Sequence, residues 1–272
     1  MIVFPNCKIN LGLHILRKRA DGFHDLETIF YPIALQDALE VVQNSSPSPD
    51  IQLTTSGLKI DSSNEENICF KAYLLLKKDF PKLVSIKMHL HKVIPSGAGL
   101  GGGSSDGAFT LTLLNKKFNL GLNEDQLIEY ALKLGSDCPF FIKNKPCYAT
   151  GRGEKMEDVE LSLSNYKILL VNPGIHVHTG KAFSKIIPSD KRTSIKEIIQ
   201  QPIEQWKDVL KNDFEEIVFA DHPEIKVIKE TLYQKGALYA SMSGSGSSVY
   251  GIINKDTQLQ FDFPSHYFLK II

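Results

Sequence analysis

Residues 95–106 read Pro95-Ser96-Gly97-Ala98-Gly99-Leu100-Gly101-Gly102-Gly103-Ser104-Ser105-Asp106. A strand-like apolar run precedes this stretch and a helix-like run comes after it. Without a Cβ, glycines take positive φ angles and let backbone N–H groups come close to a ligand. A helix starting at the end of such a loop adds N–H groups with no intrahelical acceptor and a partial positive charge, which together suit phosphate. Strand and helix signals flank the loop too tightly for a flexible linker. The stretch reads as a nucleotide-phosphate cradle.

Working outward, Val84, Ile86, Met88 and Leu90 alternate as a strand, and Lys92 continues the parity of their face. Parity leaves two readings of Lys92: a frayed strand end, or a charge directed into a site. Ser63 with Glu66 has capping-box spacing before a helix striped by Ile68, Ala72, Leu75 and Leu76, which stops near Pro81. After the loop a helix is expected from about Ser105 to Phe118. Asn123 with Gln126 starts another, striped by Leu127, Tyr130, Ala131 and Leu134 and ended by Gly135. Next comes Ser136-Asp137-Cys138-Pro139-Phe140-Phe141, where spacing alone allows Asp137 to be a helix cap or a functional carboxylate.

Near the N-terminus, Ile9, Leu11, Leu13 and Ile15 share one strand face and Lys8, Asn10, Gly12 and His14 the other. The second face is either solvated or turned to a ligand. Asp21-Gly22 marks a turn beside Phe23-His24. A strand broken by Pro32 is expected over residues 26–42, and a surface loop over 44–50, where Asn44-Ser45-Ser46 fits a glycosylation acceptor. A compositional break at Gly151-Arg152-Gly153-Glu154 suggests domains of residues 1–152 and 153–272. Beyond it lie a strand at Ile168–Val171 and a helix capped by Thr179 and running through Phe183. Mostly helical chain is expected from 193 to 235, with a stripe of Ile225, Ile228, Lys229 and Leu232. A second glycine loop, Ser241–Ser248, precedes strands at 249–253 and 266–272. Without a regular βαβ rhythm, the fold class expected is α+β.

The chain has 272 residues, with 31 Lys+Arg against 31 Asp+Glu. This balance gives no general positive field for nucleic acid, so none is expected as partner. Cys7, Cys69, Cys138 and Cys147 are scattered without a Cys-x-x-Cys pair, which argues against a zinc site or disulfide framework. The N-terminus lacks the charge order of a signal peptide, and the uncharged run 236–254 is too rich in Gly and Ser to span a bilayer. A cytoplasmic protein without membrane association is expected.

Three common phosphate motifs fail on residues 97–106. Gly97-x-Gly99-x-x-Gly102 matches a dinucleotide fingerprint, but the acids about twenty residues on, Glu124 and Asp125, fall in the first turn of a helix rather than at a strand end. A Walker loop requires Gly-Lys-Ser/Thr where this loop has Gly103-Ser104-Ser105. The His-Arg-Asp and Asp-Phe-Gly stretches of protein kinases are absent. What remains is a lysine-free loop with hydroxyls at a helix start, where Ser104 or Ser105 is a candidate ligand for Mg²⁺.

At this point the chain resembles the GHMP small-molecule kinases. The resemblance rests on Lys8-Ile9-Asn10-Leu11, Arg19-Ala20-Asp21-Gly22-Phe23-His24, the loop 95–106, and Gly135 to Phe141. It extends to Ala149 to Glu154, Asn212-Asp213-Phe214-Glu215 and Met242 to Gly246, covering nearly the whole chain in order. It is similar above all to the branch of the family whose substrate carries a cytidine diphosphate moiety and serves isoprenoid precursor synthesis. Cys7 stands where alanine is common there, and Phe23 where tyrosine is common, so Phe23 keeps a stacking face without the hydroxyl. The resemblance implies a two-domain GHMP kinase architecture, with a ribosomal-protein-S5-domain-2-like N-terminal domain and a ferredoxin-like C-terminal one. ATP and Mg²⁺ are the implied cofactors, and a monomer or homodimer the implied assembly. Asp137 would be the catalytic base and Lys8 its cationic partner. His24 would read the cytosine edge, with Phe23 and Phe183 stacking on the base and Asn10 and Thr179 holding polar groups. Asn67, Lys92, Pro95, Gly97, Gly99, Leu100, Gly101, Gly102, Gly103, Ser104 and Ser105 would receive the adenine nucleotide. Rivals are a homoserine or mevalonate kinase, a dinucleotide-dependent oxidoreductase, and a non-catalytic nucleotide binder.

Overall fold

The computed structural model describes residues 1–45, 50–60, 63–258, 260 and 262–272. Most of the loop expected at 44–50, including the end of the Asn44-Ser45-Ser46 pattern, lies outside the described residues. The first half of the chain contains β1 (Ile2–Val3), β2 (Asn6–Lys18), β3 (His24–Gln36), β4 (Ala38–Gln43), β5 (Ile51–Gly57), α1 (Ile68–Asp79), β6 (Ile86–Lys92), α2 (Gly102–Phe118), α3 (Glu124–Leu134) and α4 (Cys138–Lys143). The second half adds β7 (Cys147–Gly151), β8 (Lys155–Asp158), β9 (Tyr166–Asn172), α5 (Thr179–Lys185), α6 (Ile195–Ile198), α7 (Trp206–Val209), α8 (Phe214–Asp221), α9 (Pro223–Gln234), β10 (Tyr239–Met242), β11 (Val249–Asn254) and β12 (Phe268–Ile271). These form two compact units: Met1–Cys7, Ala34–Ser96 and Gly101–Lys145 in one, and Lys8–Ile33, Gly97–Leu100 and Pro146–Ile272 in the other.

The first unit carries a sheet in the order β1-β4-β6-β5. β4 pairs antiparallel with β6, while β5 runs parallel to β6. A parallel pair needs a long crossover, and α1 supplies it. Burial alternates along β6, so Ile86, Met88, Leu90 and also Lys92 face inward. Lys92 is thus no frayed end. Ser63 and Glu66 exchange the expected reciprocal hydrogen bonds, but one turn ahead of the helix. The N-cap of α1 is Asn67, whose Oδ1 accepts from the Cys69 N–H at 2.9 Å. α2 begins three residues earlier than expected because Gly101 takes the N-cap position in the left-handed region, at φ 67°. The Asn123–Gln126 capping box and the Gly135 stop of α3 form as expected.

In the second unit the sheets run β2-β3-β7-β8 and β10-β11-β9-β12. Pro32 does not break β3. It comes after Phe30, the last residue paired with β7, so its missing N–H costs that ladder no bond. The chain breaks instead at Asp37. Residues 151–154 form the turn of the β7–β8 hairpin. The second sheet packs through Leu169, Val171, Met242 and Val249 with Phe214, Ile225, Ile228 and Leu232 of α8 and α9. Thr179 is the first residue of α5 rather than its cap, which is His178.

Candidate active site

On β2 the face opposite Ile9, Leu11 and Leu13 is not solvated: Lys8 and Asn10 are buried. Period two puts them side by side, and Lys8 Nζ donates to Asn10 Oδ1 at 2.6 Å. Asn10 Nδ2 in turn donates to Thr28 Oγ1 on β3 at 3.0 Å. Its backbone N–H donates to Ser243 Oγ at 3.2 Å, and its carbonyl accepts from the Tyr250 hydroxyl at 2.7 Å. Asn10 is therefore fixed on all sides and aims the Lys8 ammonium. Lys8 also approaches the Gly99 carbonyl, at 3.4 Å, and its N–H donates to the Leu100 carbonyl at 3.0 Å.

The Gly99 carbonyl accepts from Ser243 Oγ at 2.8 Å, so the second glycine loop packs directly on Gly97–Leu100. Contact there is too close for any side chain on Gly99. A Cβ would strike the Ser243 carbonyl, and φ is 77°. Asn212 Nδ2 holds the second loop from behind, donating to the carbonyls of Met242 at 2.7 Å and Gly244 at 2.9 Å. Glu215 accepts from the Met242 N–H at 2.8 Å and from Lys229 at 2.6 Å. The Asn212-Asp213-Phe214-Glu215 stretch is thus the brace of that loop.

Of the aromatic groups, His24 and Phe183 come together, their rings stacked at 5.1 Å and 18°. Phe23 does not join them. It is exposed, and the Arg152 guanidinium of the hairpin turn lies 4.9 Å over its ring. Burial, with help from the Lys18 charge, holds the His24 imidazole below its ordinary range. Neutral at pH 7, it offers one donor and one acceptor nitrogen. Thr179 is exposed and meets Ser245 Oγ at 2.8 Å. Sequence reasoning missed Glu27, which gathers His14 Nδ1 at 2.8 Å, the Tyr148 hydroxyl at 2.5 Å, Ser194 Oγ at 2.9 Å and the Ile195 N–H at 3.1 Å. Burial pushes its carboxyl up, but these four partners prevail and bring it down to about 2. The available signal was an acid within a strand, two residues after Asp25.

In the first unit, the N–H groups of Gly102, Gly103 and Ser104 precede the first helical bond of α2, from Ser105 N–H to the Gly101 carbonyl at 2.9 Å. Gly103 is exposed, with nothing within 4 Å of a Cβ placed on it, so the approach to these amides is open. Ser104 is half-buried. Ser105 points inward and is fully buried. Asp137 occupies the N-cap position of α4 but makes no side-chain capping bond. That removes the helix-cap reading of this carboxylate. Lys92 is buried, with its ammonium on the carboxylates of Asp37 and Asp106.

The two units differ in the groups they present. The first has open helix-start amides and a half-buried carboxylate, and the second a fixed ammonium and an aromatic pair. Family models agree: residues 67–145 match "GHMP kinases N terminal domain" and residues 194–261 match "GHMP kinases C terminal". The chain belongs to the GHMP kinases, with their two-domain fold of mixed helices and sheets, and is an ATP-dependent small-molecule kinase. Within that family it is similar to the 4-diphosphocytidyl-2-C-methyl-D-erythritol kinase of Bacteroides thetaiotaomicron, 53% identical over 95% of this chain and 94% of that one. A crystal structure of 4-(cytidine 5'-diphospho)-2C-methyl-D-erythritol kinase superposes with TM-score 0.79 at 30% identity, covering 93% of this chain and 90% of the other. The Methanococcus jannaschii mevalonate kinase, at 17% identity, TM-score 0.70 and 94% and 92% coverage, shares the fold.

Proposed function

We propose that this chain transfers the γ-phosphoryl group of ATP to the 2-hydroxyl of 4-diphosphocytidyl-2-C-methyl-D-erythritol, a step of the non-mevalonate isoprenoid route. The observation that carries this reading is the likeness to enzymes of that name along almost the whole chain, at 53% identity. Asp137 accepts the proton of the attacking hydroxyl, and Lys8, aimed by Asn10, supplies positive charge to the developing anion. Phosphoryl transfer depends mainly on positioning and electrostatics, so Asp137 orients the hydroxyl as much as it deprotonates it. The loop from Pro95 through Gly97, Gly99, Leu100, Gly101, Gly102 and Gly103 to Ser104 and Ser105 receives the phosphates, its open amides lying at Gly102–Ser104. Asn67 lies on the nucleotide side through its place at the start of α1, and Lys92 through the helix it supports.

The neutral His24 imidazole matches the donor and acceptor edge of cytosine. Phe183 and Phe23 flank the base, while Asn10 and Thr179 take polar groups. A hard cation takes oxygen ligands, and the accessible Ser104 hydroxyl fits Mg²⁺ better than the enclosed Ser105. The bound ion would neutralise phosphate charge. We retain residues 1–152 and 153–272 as the two domains, a monomer or homodimer as the assembly, and the cytoplasm as the location. Among the described residues no helix is long and apolar enough to cross a membrane.

The test is ADP release with 4-diphosphocytidyl-2-C-methyl-D-erythritol, homoserine and mevalonate as separate acceptors. Turnover is expected only with the first. Turnover with either of the others, and none with the first, overturns the assignment. For the base, Asp137→Asn is expected to lower kcat by about 10²-fold or more, and an undiminished rate removes Asp137 from that role.

A further inference from the structure

We infer that Lys92, held between Asp37 and Asp106, is a positioning residue that fixes the first turn of α2, and with it the phosphate-facing amides of Gly102–Ser104, to the end of β6. The inference rests on the reading that these amides bind nucleotide phosphate. Lys92 is the last residue of β6, and its side chain points, like that of Leu90, into the interior. Its ammonium donates to Asp106 Oδ2, in the second turn of α2, at 2.7 Å, and to Asp37 Oδ2. The other Asp37 oxygen accepts from the Val93 and Ile94 N–H groups, at 2.5 and 2.9 Å, where the chain leaves β6 for the glycine loop. A Cβ on Gly102 would stand 2.8 Å from Ile94 Cγ2 and 3.6 Å from Lys92 Nζ, so the helix start abuts the ammonium itself. One cluster thus joins the chain between β3 and β4, the exit of β6 and the entry of α2.

Stability alone does not account for an ionic cluster here. Leucine or methionine would continue the apolar face of β6, and such replacements of buried ion pairs are often neutral or stabilising. What the ions add is fixed length and direction between three elements. Two buried atoms of the same helical turn, Ser105 Oγ and Asp106 Oδ1, have no hydrogen-bond partner among the described residues. Groups left so are costly and concentrate where function fixes a geometry. Burial pushes the Asp106 carboxyl up against the pull of Lys92, while the Lys92 ammonium is drawn down by burial and carried up by Asp106 and Asp37. With its side chain only 2% exposed, Lys92 acts on the nucleotide through α2 and not by touching it.

Asp106→Asn keeps the shape and weakens the grip, and Lys92→Met removes it. In steady-state assays of the full chain, Asp106→Asn is expected to raise KM for ATP about tenfold, roughly the worth of one charge-assisted hydrogen bond. KM for the cytidyl substrate should stay within about twofold. Hydrogen exchange at residues 105–108, where the hydrogen-bonded amides of α2 begin, should quicken in the nucleotide-free protein while that of β9 and β11 does not. Lys92→Met should show the same pattern more strongly, and if it fails to fold, Asp106→Asn decides. An unchanged KM for ATP overturns the inference, as does an equal rise for both substrates. So does a fall, because removing a buried negative charge behind a helix N-terminus favours anion binding unless geometry is lost. Should the wild-type chain fail to turn over the cytidyl substrate, the functional reading falls separately. The exchange comparison then still tests the tie, and unaltered rates at 105–108 overturn it.

Discussion

Residues 97–105 and 243–248 are both built largely of glycine and serine, yet they spend their polar groups differently. The first segment ends in a long helix, and its last residues leave N–H groups open above an exposed Gly103. The second is closed between the antiparallel strands β10 and β11. Ser243, Ser247 and Ser248 are buried. The Ser243 N–H donates to the Ser248 carbonyl at 2.9 Å, Asn172 Nδ2 donates to Ser247 and Ser248 Oγ at 3.2 and 3.0 Å, and Ser247 Oγ donates to the Ile175 carbonyl at 2.6 Å. The element at the far end of a glycine loop decides its use: a helix start exposes donors, whereas a returning strand consumes them. The second loop is a buttress, and what it supports is the Gly97–Leu100 part of the first.

Gly99→Ala attacks the place where they meet. The added Cβ must displace the Ser243 carbonyl and hold φ 77°. Left-handed strain and overpacking together predict about 2–5 kcal/mol of destabilisation in urea melts, with activity lost alongside. A variant of wild-type stability would mean that the loops do not lean on each other. Asn212→Ala removes the brace behind the buttress, freeing two carbonyls and the Phe214 N–H, which Asn212 Oδ1 accepts at 3.0 Å. A loss of about 2–3 kcal/mol is expected, with KM for ATP within about twofold of wild type. A raised KM at unaltered stability would turn the second loop from buttress to binding element.

Gly103→Ala separates the two uses most cleanly. Nothing lies within 4 Å of the new Cβ, so the fold accepts it. Helix propensity predicts unchanged stability or a gain of up to about 1 kcal/mol. A methyl group between two of the open amides should hinder the approach of phosphate, and KM for ATP should rise about tenfold, the equivalent of about 1.4 kcal/mol. If KM does not move, phosphate does not approach over Gly103.

Much of this was legible in local pattern. Alternation gave the strands around Ile9–Ile15 and Ile86–Leu90, and Asn123–Gln126 and Gly135 marked both ends of α3, because these signals act over a few residues. Asn67 replaced Ser63 as cap because both fit the pattern and tertiary packing chose between them. Lys8 and Asn10 were legible as a pair but not as buried, since burial comes from β3 and the second glycine loop, far away in sequence. Asp37 and Glu27 carried almost no signal. Such an acid gains meaning only when its partners arrive from other elements: Val93, Ile94 and Lys92 for one, Tyr148 and Ser194 for the other.

Glu27 gives the smallest expected effect, and one that bypasses both loops. Its carboxyl is held at about 2, against an ordinary 4.5, because the folded chain donates to the ionised form. A depressed value stabilises the fold above the unfolded pKa, and the contribution drains away as pH falls from about 4.5 towards 2. Water still screens part of this network, so the share lost is roughly 1–2 kcal/mol, less than the full shift implies. Urea midpoints taken between pH 6 and 2.5 should fall less steeply in Glu27→Gln than in wild type below pH 4.5, and run parallel above it. Gly103→Ala should track the wild-type curve throughout, because its methyl group touches none of the Glu27 partners. Parallel curves for Glu27→Gln at every pH would show that the four hydrogen bonds favour neither protonation state.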